Sequence, residues 1–256
     1  MGVMAAERIK FTSTKSPWWC SAIVVVFGLG FGAILGWAAK TALGPDAPEG
    51  LPPTTAYDVV GSGVGGLGLM VLMILAALTV TSEYRFGLIR TTFQAVTNRA
   101  SVLGAKALIV GVYGAVLSLI LAFGALFLAK AIAGEEAGAL LSFDVDGTWR
   151  VIYGTAILAF VQIVLAVAVG ALVRQSAGAI AVLLLWPLLI ESLVGLIPKV
   201  GEKIQPFLPF KNADHFLGGS AGTDFHWGPI GSLIYFVVFT AVIFGVAVLV
   251  VNRRDA

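Results

Sequence analysis

Six apolar stretches, each long enough to cross a bilayer, govern what this chain can become. They run over about 18–39, 58–80, 102–129, 151–173, 177–197 and 229–251. Roughly 20 apolar residues in a helix span the hydrocarbon core, and a helix satisfies its own backbone polar groups, as lipid requires. Charged residues are only 12% of the chain and apolar residues 59%, against about a quarter and about half in a soluble domain. Such a chain cannot clothe a water-facing surface. The sequence predicts an all-α integral membrane protein of six transmembrane helices, one domain over 1–256, with no room beside the spans for a soluble domain.

Before the first span, Ala5 to Phe11 is rich in helix formers, Thr12-Ser13-Thr14 weakens the helix, and Pro17 marks a break. Met4 and Phe11 share a face while Ile9 points elsewhere. Glu7, Arg8, Lys10 and Lys15 precede an apolar run too long for a signal peptide, so no cleavage is expected. Trp18 and Trp19 suit a membrane interface. Gly28, Gly32 and Gly36 fall on one helix face, where small residues permit close helix contact. Packing within the chain is preferred for them over a dimer seam or a path wall.

In the second span Gly63-x-Gly65-x-x-Gly68 spells a dinucleotide fingerprint, but no strand precedes it and no acid follows at the required distance. A packing face of Gly61 and Gly65 is the better physical account, and so many glycines also favour bending or partial unwinding. The connections 40–57, with Pro45, Pro48, Pro52 and Pro53, and 130–150, with four acids, read as loops. Arg174-Gln175-Ser176 is a short turn. Trp186-Pro187 predicts a kink in span five. The segment 198–228 is too apolar for a free loop and too broken, by Pro206 and Pro209, for a span. It reads as short helices or a hairpin dipping into the outer leaflet.

Basic residues decide orientation, because short loops rich in Lys and Arg stay in the cytoplasm. With both termini inside, 10 basic and 3 acidic residues lie inside, and 6 basic and 11 acidic residues lie outside or in spans. The densest basic connection holds Arg85, Arg90, Arg99 and Lys106 against Glu83, between spans two and three.

Catalytic signals are absent. There is no G-x-x-x-x-G-K-S/T loop and no H-E-x-x-H. His215 and His226 could form a metal pair, but solvated loop histidines are the commoner case. Cys20, the sole cysteine, cannot pair within the chain and reads as a small apolar residue. Glu191 is the one acid well inside an apolar run. Either it turns outward to Lys199 or Lys203, or it contacts a substrate or anchors an outer gate.

The run Glu83-Tyr84-Arg85-Phe86-Gly87-Leu88-Ile89-Arg90, then Arg99 and a Lys106 opening the next span, resembles the cytoplasmic coupling segment of type-2 ABC exporter permeases. The layout is similar too: an N-terminal segment lying along the inner surface, six spans, a coupling helix between spans two and three, and a re-entrant outer segment before span six. The resemblance implies a bacterial plasma-membrane permease with both termini cytoplasmic, exporting a drug, antibiotic peptide or lipid-like amphiphile. It also implies a second permease copy or homologue and two copies of a soluble ATPase that binds ATP and Mg. No cofactor in this chain, no enzyme activity of its own and no nucleic-acid partner is expected. Glu83, Tyr84, Arg85, Phe86, Gly87 and Arg90 would meet the ATPase, with Phe86 as an apolar plug. The substrate path would run by spans one, two and five, near Phe27, Phe31, Trp186 and Glu191. A secondary transporter and a non-transporting scaffold or sensor subunit are the rival readings.

Overall fold

The computed structural model describes residues 2–42, 53–96, 98–197, 201–219 and 223–253, with the backbone alone at Arg90, Phe93, Ala95 and Glu202. Pro45, Pro48, Pro52 and Lys199 lie outside these residues, as do Arg254 and Asp255 of the C-terminal charge count. Every regular element among the described residues is helical. They are α1 (Gly2–Ser13), α2 (Ser16–Ala42), α3 (Ala56–Arg85), α4 (Leu88–Ala95), α5 (Arg99–Leu140), α6 (Thr148–Val173), α7 (Ser176–Gly195), α8 (Gly201–Ile204), α9 (Pro209–Leu217) and α10 (Pro229–Arg253). α2, α3, α5, α6, α7 and α10 are each long and apolar enough to cross a membrane. The chain is a multi-pass membrane protein.

The centre is built from α3 and α6, whose most apolar windows are 56% and 61% buried, against 17% for α7 and 22% for α10. α6 lies against α3, α5 and α10, and presents Gly154, Ala159, Ala166, Gly170 and Ala171 inward. Small residues let backbones come close where lipid offers no hydrophobic incentive. At Gly170 a Cβ would lie 3.2 Å from the Ala77 carbonyl oxygen of α3. α2 seats its glycines in the same way. A Cβ at Gly32 or Gly36 would stand 2.8 or 2.5 Å from the carbonyl oxygens of Ala125 and Ala129 in α5, and one at Gly28 would meet Val64 of α3. The stripe is packed within the chain.

Span two differs from the sequence reading. It runs to Arg85, beyond the expected 58–80, and is π-helical over Gly63–Gly68. There the backbone N–H of Leu69 reaches five residues back to the Val64 carbonyl. Four glycines in six residues leave no side-chain bulk to resist the wider turn. The wider turn also moves the contact face. Gly63 and Gly68, not Gly61 and Gly65, press on α2: a Cβ at Gly63 would be 2.9 Å from the Phe27 carbonyl oxygen and from Phe31 Cβ. Gly61 has only its own Tyr57 ring nearby, and Gly65 faces Leu217 and Thr155.

Span three is longer than 102–129, and most of the connection expected at 130–150 is helix. The helix breaks only at Gly134 (φ 83°, ψ −168°), then continues to Leu140 with Ala133 and Ala137 buried. Helix-forming alanines outweigh the local acids. Phe123, Phe143 and Trp149, with ring centroids about 6 Å apart, fasten the following turn to α5. In span five a π turn at Trp186–Ile190 accommodates Pro187, the physical form of the expected kink.

One end of the helical array gathers α1, α4, the start of α5, the turn at Arg174 and the end of α10. Arg99 Nη1 donates to the Val251 carbonyl at 3.0 Å, and the Arg174 guanidinium lies 5.0 Å from the Tyr84 ring centroid. The opposite end holds the start of α3, the α5–α6 turn, α9 and the start of α10.

Candidate functional site

At the first end α3 finishes at Arg85, so Glu83 to Arg85 belong to the span and not to a separate helix over 82–101. Phe86 N–H donates to the Ser82 carbonyl at 2.9 Å. Gly87 then takes a left-handed conformation (φ 71°), which glycine adopts without a Cβ clash. The chain reverses into α4, where Ile89 is buried while Leu88 and Thr91 are exposed. The turn itself protrudes: Phe86 is 70% exposed, and Arg85 lies over its ring at 5.6 Å. Tyr84 is half-buried beneath Arg174, the one non-glycine residue with positive φ among those described. Arg90 lies on α4.

Glu83 points the other way. It is buried, and Oε1 accepts from Lys106 Nζ at 2.7 Å and from Lys10 Nζ at 3.0 Å. Glu7 completes the group: Oε2 accepts from Lys106 at 2.5 Å and Oε1 from Lys10 at 2.9 Å. Lys10 also donates to Thr92 Oγ1 of α4 at 3.3 Å. Two acids and two bases therefore bind α1, α3, α4 and α5 together. Burial lowers the Lys10 pKa, but hydrogen bonds and attraction from Glu7 and Glu83 outweigh it and hold the ammonium above its ordinary range.

From sequence, Glu7 reads as a topology charge and Lys106 as a topology charge within the coupling-segment pattern, neither as part of an ion cluster. Two signals were present. A lysine seven residues into an apolar helix needs a partner. Glu7 also sits four residues before Phe11, on the face that α1 buries. Phe11 stacks edge-on against Tyr113, whereas Met4, expected to share that face, is exposed.

At the opposite end Glu191 is 1% exposed. Its Oε1 accepts from Trp186 Nε1 and from the Phe210 backbone N–H, each at 3.0 Å, and Oε2 accepts from the Lys211 N–H at 2.8 Å. It does not turn to Lys203: the donors are indole and backbone. Pro209 opens α9 and Leu208 offers no side-chain cap, so Glu191 serves the free N–H groups of that helix from another span. A cavity of about 200 Å³ lies beside it, bounded by Gly65, Met73, Gln162, Pro187, Glu191 and Lys211. Trp186 borders Glu191, whereas Phe27 and Phe31 sit half-buried on α2 against span two and do not line that cavity.

α9 is fixed on its other side as well. The Tyr57 hydroxyl donates to the Asp214 carboxylate. Burial is the main influence raising the Asp214 pKa, opposed by that bond and by Lys211. His215 is no solvated loop residue. Its ring stacks on Phe225 at 3.9 Å, and Nδ1 pairs with Ser232 Oγ at 2.7 Å. His226 lies by Phe207 and Trp227 instead.

No protein-family model matches the chain, and no curated protein or solved structure matches it either.

Proposed function

We propose that this chain is the permease subunit of an ATP-driven type-2 ABC exporter of the bacterial plasma membrane. The observation that carries the reading is the exposed helix-turn-helix at Arg85–Leu88. The span ends there in a protruding apolar and cationic tip, α1 and α5 are tied to it by buried ion pairs, and α4 is joined to α1 by the Lys10–Thr92 hydrogen bond. A separate ATPase needs a lever of this kind, one that passes a push into span two without being absorbed by a loose loop. On this reading α4 is the coupling helix, α1 the interfacial helix, and α8 and α9 the re-entrant outer segment. Both termini are cytoplasmic. Two copies, or one copy and a homologue, flank the substrate path.

The burial of Glu83 refines the assignment. Arg85 and Phe86 are the partner-facing residues, with Arg90 on the coupling helix beside them, while Glu83 holds the lever in place. The cavity beside Glu191 and the kinked α7 supports a path near that end, and its mixed lining, with Met73, Leu158 and Leu217 beside Gln162, Glu191, Lys211 and Asp214, suits an amphipathic drug, antibiotic peptide or lipid-like substrate.

The test is purification of the full-length chain with its ATPase from native membranes in mild detergent. ATP hydrolysis should co-purify in equal subunit amounts, and should fall in the Arg85→Ala, Phe86→Ala double variant while membrane insertion is kept. Purified complexes without ATPase, or unchanged turnover in the variant, would overturn the reading.

A further inference from the structure

We infer that a cavity of about 410 Å³, bounded by α1, the start of α2, α3 and α5, binds an uncharged amphiphile through a single hydroxyl group. Its walls are largely apolar, with Phe11, Pro17, Leu75, Leu78, Ile109 and Val110 around a floor made by Glu83 and Lys106. Exposed Phe86 and Leu88 form part of its rim. The volume falls in the range of small-molecule sites, about 300–1,000 Å³.

The floor carries an unmet requirement. Glu83 is 6% exposed, and its Oε2 has no hydrogen-bond partner among the described residues. A buried acceptor left unpaired is costly and calls for a donor. The neighbouring donors are nearly spent. Lys10 Nζ donates to Glu7, Glu83 and Thr92, which uses its three N–H groups. Lys106 has three N–H groups and two carboxylate acceptors, which leaves one N–H. The floor therefore offers one acceptor and one donor side by side, and a hydroxyl is both at once.

Charge narrows the choice. Glu7, Glu83, Lys10 and Lys106 sum to zero, so an ammonium or phosphate head would bring an uncompensated charge into a buried place. An alcohol does not. The inference is independent of the exporter reading, because it concerns binding alone.

The probe is a long-chain alcohol bearing a photoactivatable diazirine, applied to the full-length chain in phosphatidylcholine nanodiscs, with its methyl ether alongside. The alcohol should label peptides containing Leu78 or Ile109, and the ether, which cannot donate to a carboxylate, should bind about tenfold more weakly. Leu78→Trp should fill the cavity and abolish the label. Ile109→Trp, from a different helix, serves if that variant does not fold. Displacement by diacylglycerol would name a leaflet lipid as the source, and displacement only by free alcohol a single-chain ligand. Equal labelling by alcohol and ether, or labelling unaffected by the tryptophan, would overturn the inference and leave water alone at Glu83 Oε2.

Discussion

Glu191 in span five accepts a hydrogen bond from the backbone N–H of Lys211, twenty residues along the chain, at 2.8 Å. A helix start is normally served by the residue just before it. Here a carboxylate on a neighbouring span serves it, so α7 and α9 form one mechanical unit. Glu191→Ala would strand three donors at this buried carboxylate, the N–H groups of Phe210, Lys211 and the Trp186 indole. We expect a loss of roughly 3 kcal/mol, since each orphaned group costs about 1–3 kcal/mol, and faster hydrogen exchange at 209–213. Glu191→Gln keeps one acceptor oxygen and should lose about half as much. Thermal unfolding in detergent with exchange mass spectrometry checks both, and unchanged exchange at 209–213 would mean that the helix start is held some other way.

Lys106→Met leaves the buried Glu7 and Glu83 carboxylates facing one half-exposed lysine. Breaking a buried pair by removing one partner costs about 3–5 kcal/mol. Converting both acids to Gln in the same chain should recover much of the loss. If single and triple variants unfold at the same temperature, the ions are not coupled.

Two glycines of one helix should respond with opposite signs. Gly36→Ala drives a Cβ into the Ala129 backbone, and overpacking of this kind costs about 1–3 kcal/mol. Gly30→Ala meets nothing within 4 Å and should stabilise by about 0.5–1 kcal/mol through lost chain entropy. Equal shifts in unfolding temperature would contradict the close contact of α2 with α5.

The contrast between these glycines marks what the sequence could and could not convey. Hydropathy shows six spans because lipid imposes length and composition on each helix separately. The kink at Pro187 was legible for the same reason, being a local loss of one N–H. The ion cluster around Glu83 was not legible: Lys10 lies 73 residues from Glu83 and Glu7 lies 99 from Lys106, and only the folded arrangement brings them together. The helix at 130–140 was missed because acidic residues were read as loop, while buried Ala133 and Ala137 decide the matter by packing. That Gly63 and Gly68 meet α2 while Gly65 meets Leu217 and Thr155 was not legible, because four-residue spacing assumes an α-helix, and the chain is not one there.

Acid should weaken the α9–α10 contact. Burial, and then the positive charge of Arg150, hold the His215 pKa below its ordinary value of about 6.5. The folded chain thus binds fewer protons at this site than the unfolded one. Its contribution is complete above that ordinary value and is lost as pH falls through the depressed native value. His215→Gln should flatten the pH dependence of unfolding between neutral and mildly acidic pH. A variant with the same slope as the parent would exclude His215 as the titrating group.

The π turn at Gly63–Gly68 amounts to one residue more than an α-helix would use over the same rise. One residue corresponds to about 100° of helical phase. Span two is therefore two helical stretches set at different rotations on a single axis, and its upper part is aimed independently of its lower part. Tyr57, which meets Asp214, lies on the stretch before the turn. Removing any one glycine of the turn would leave every neighbouring side chain unaltered in kind, yet swing Tyr57 by about 100° around the axis. At this place the number of residues carries the information, more than their identity.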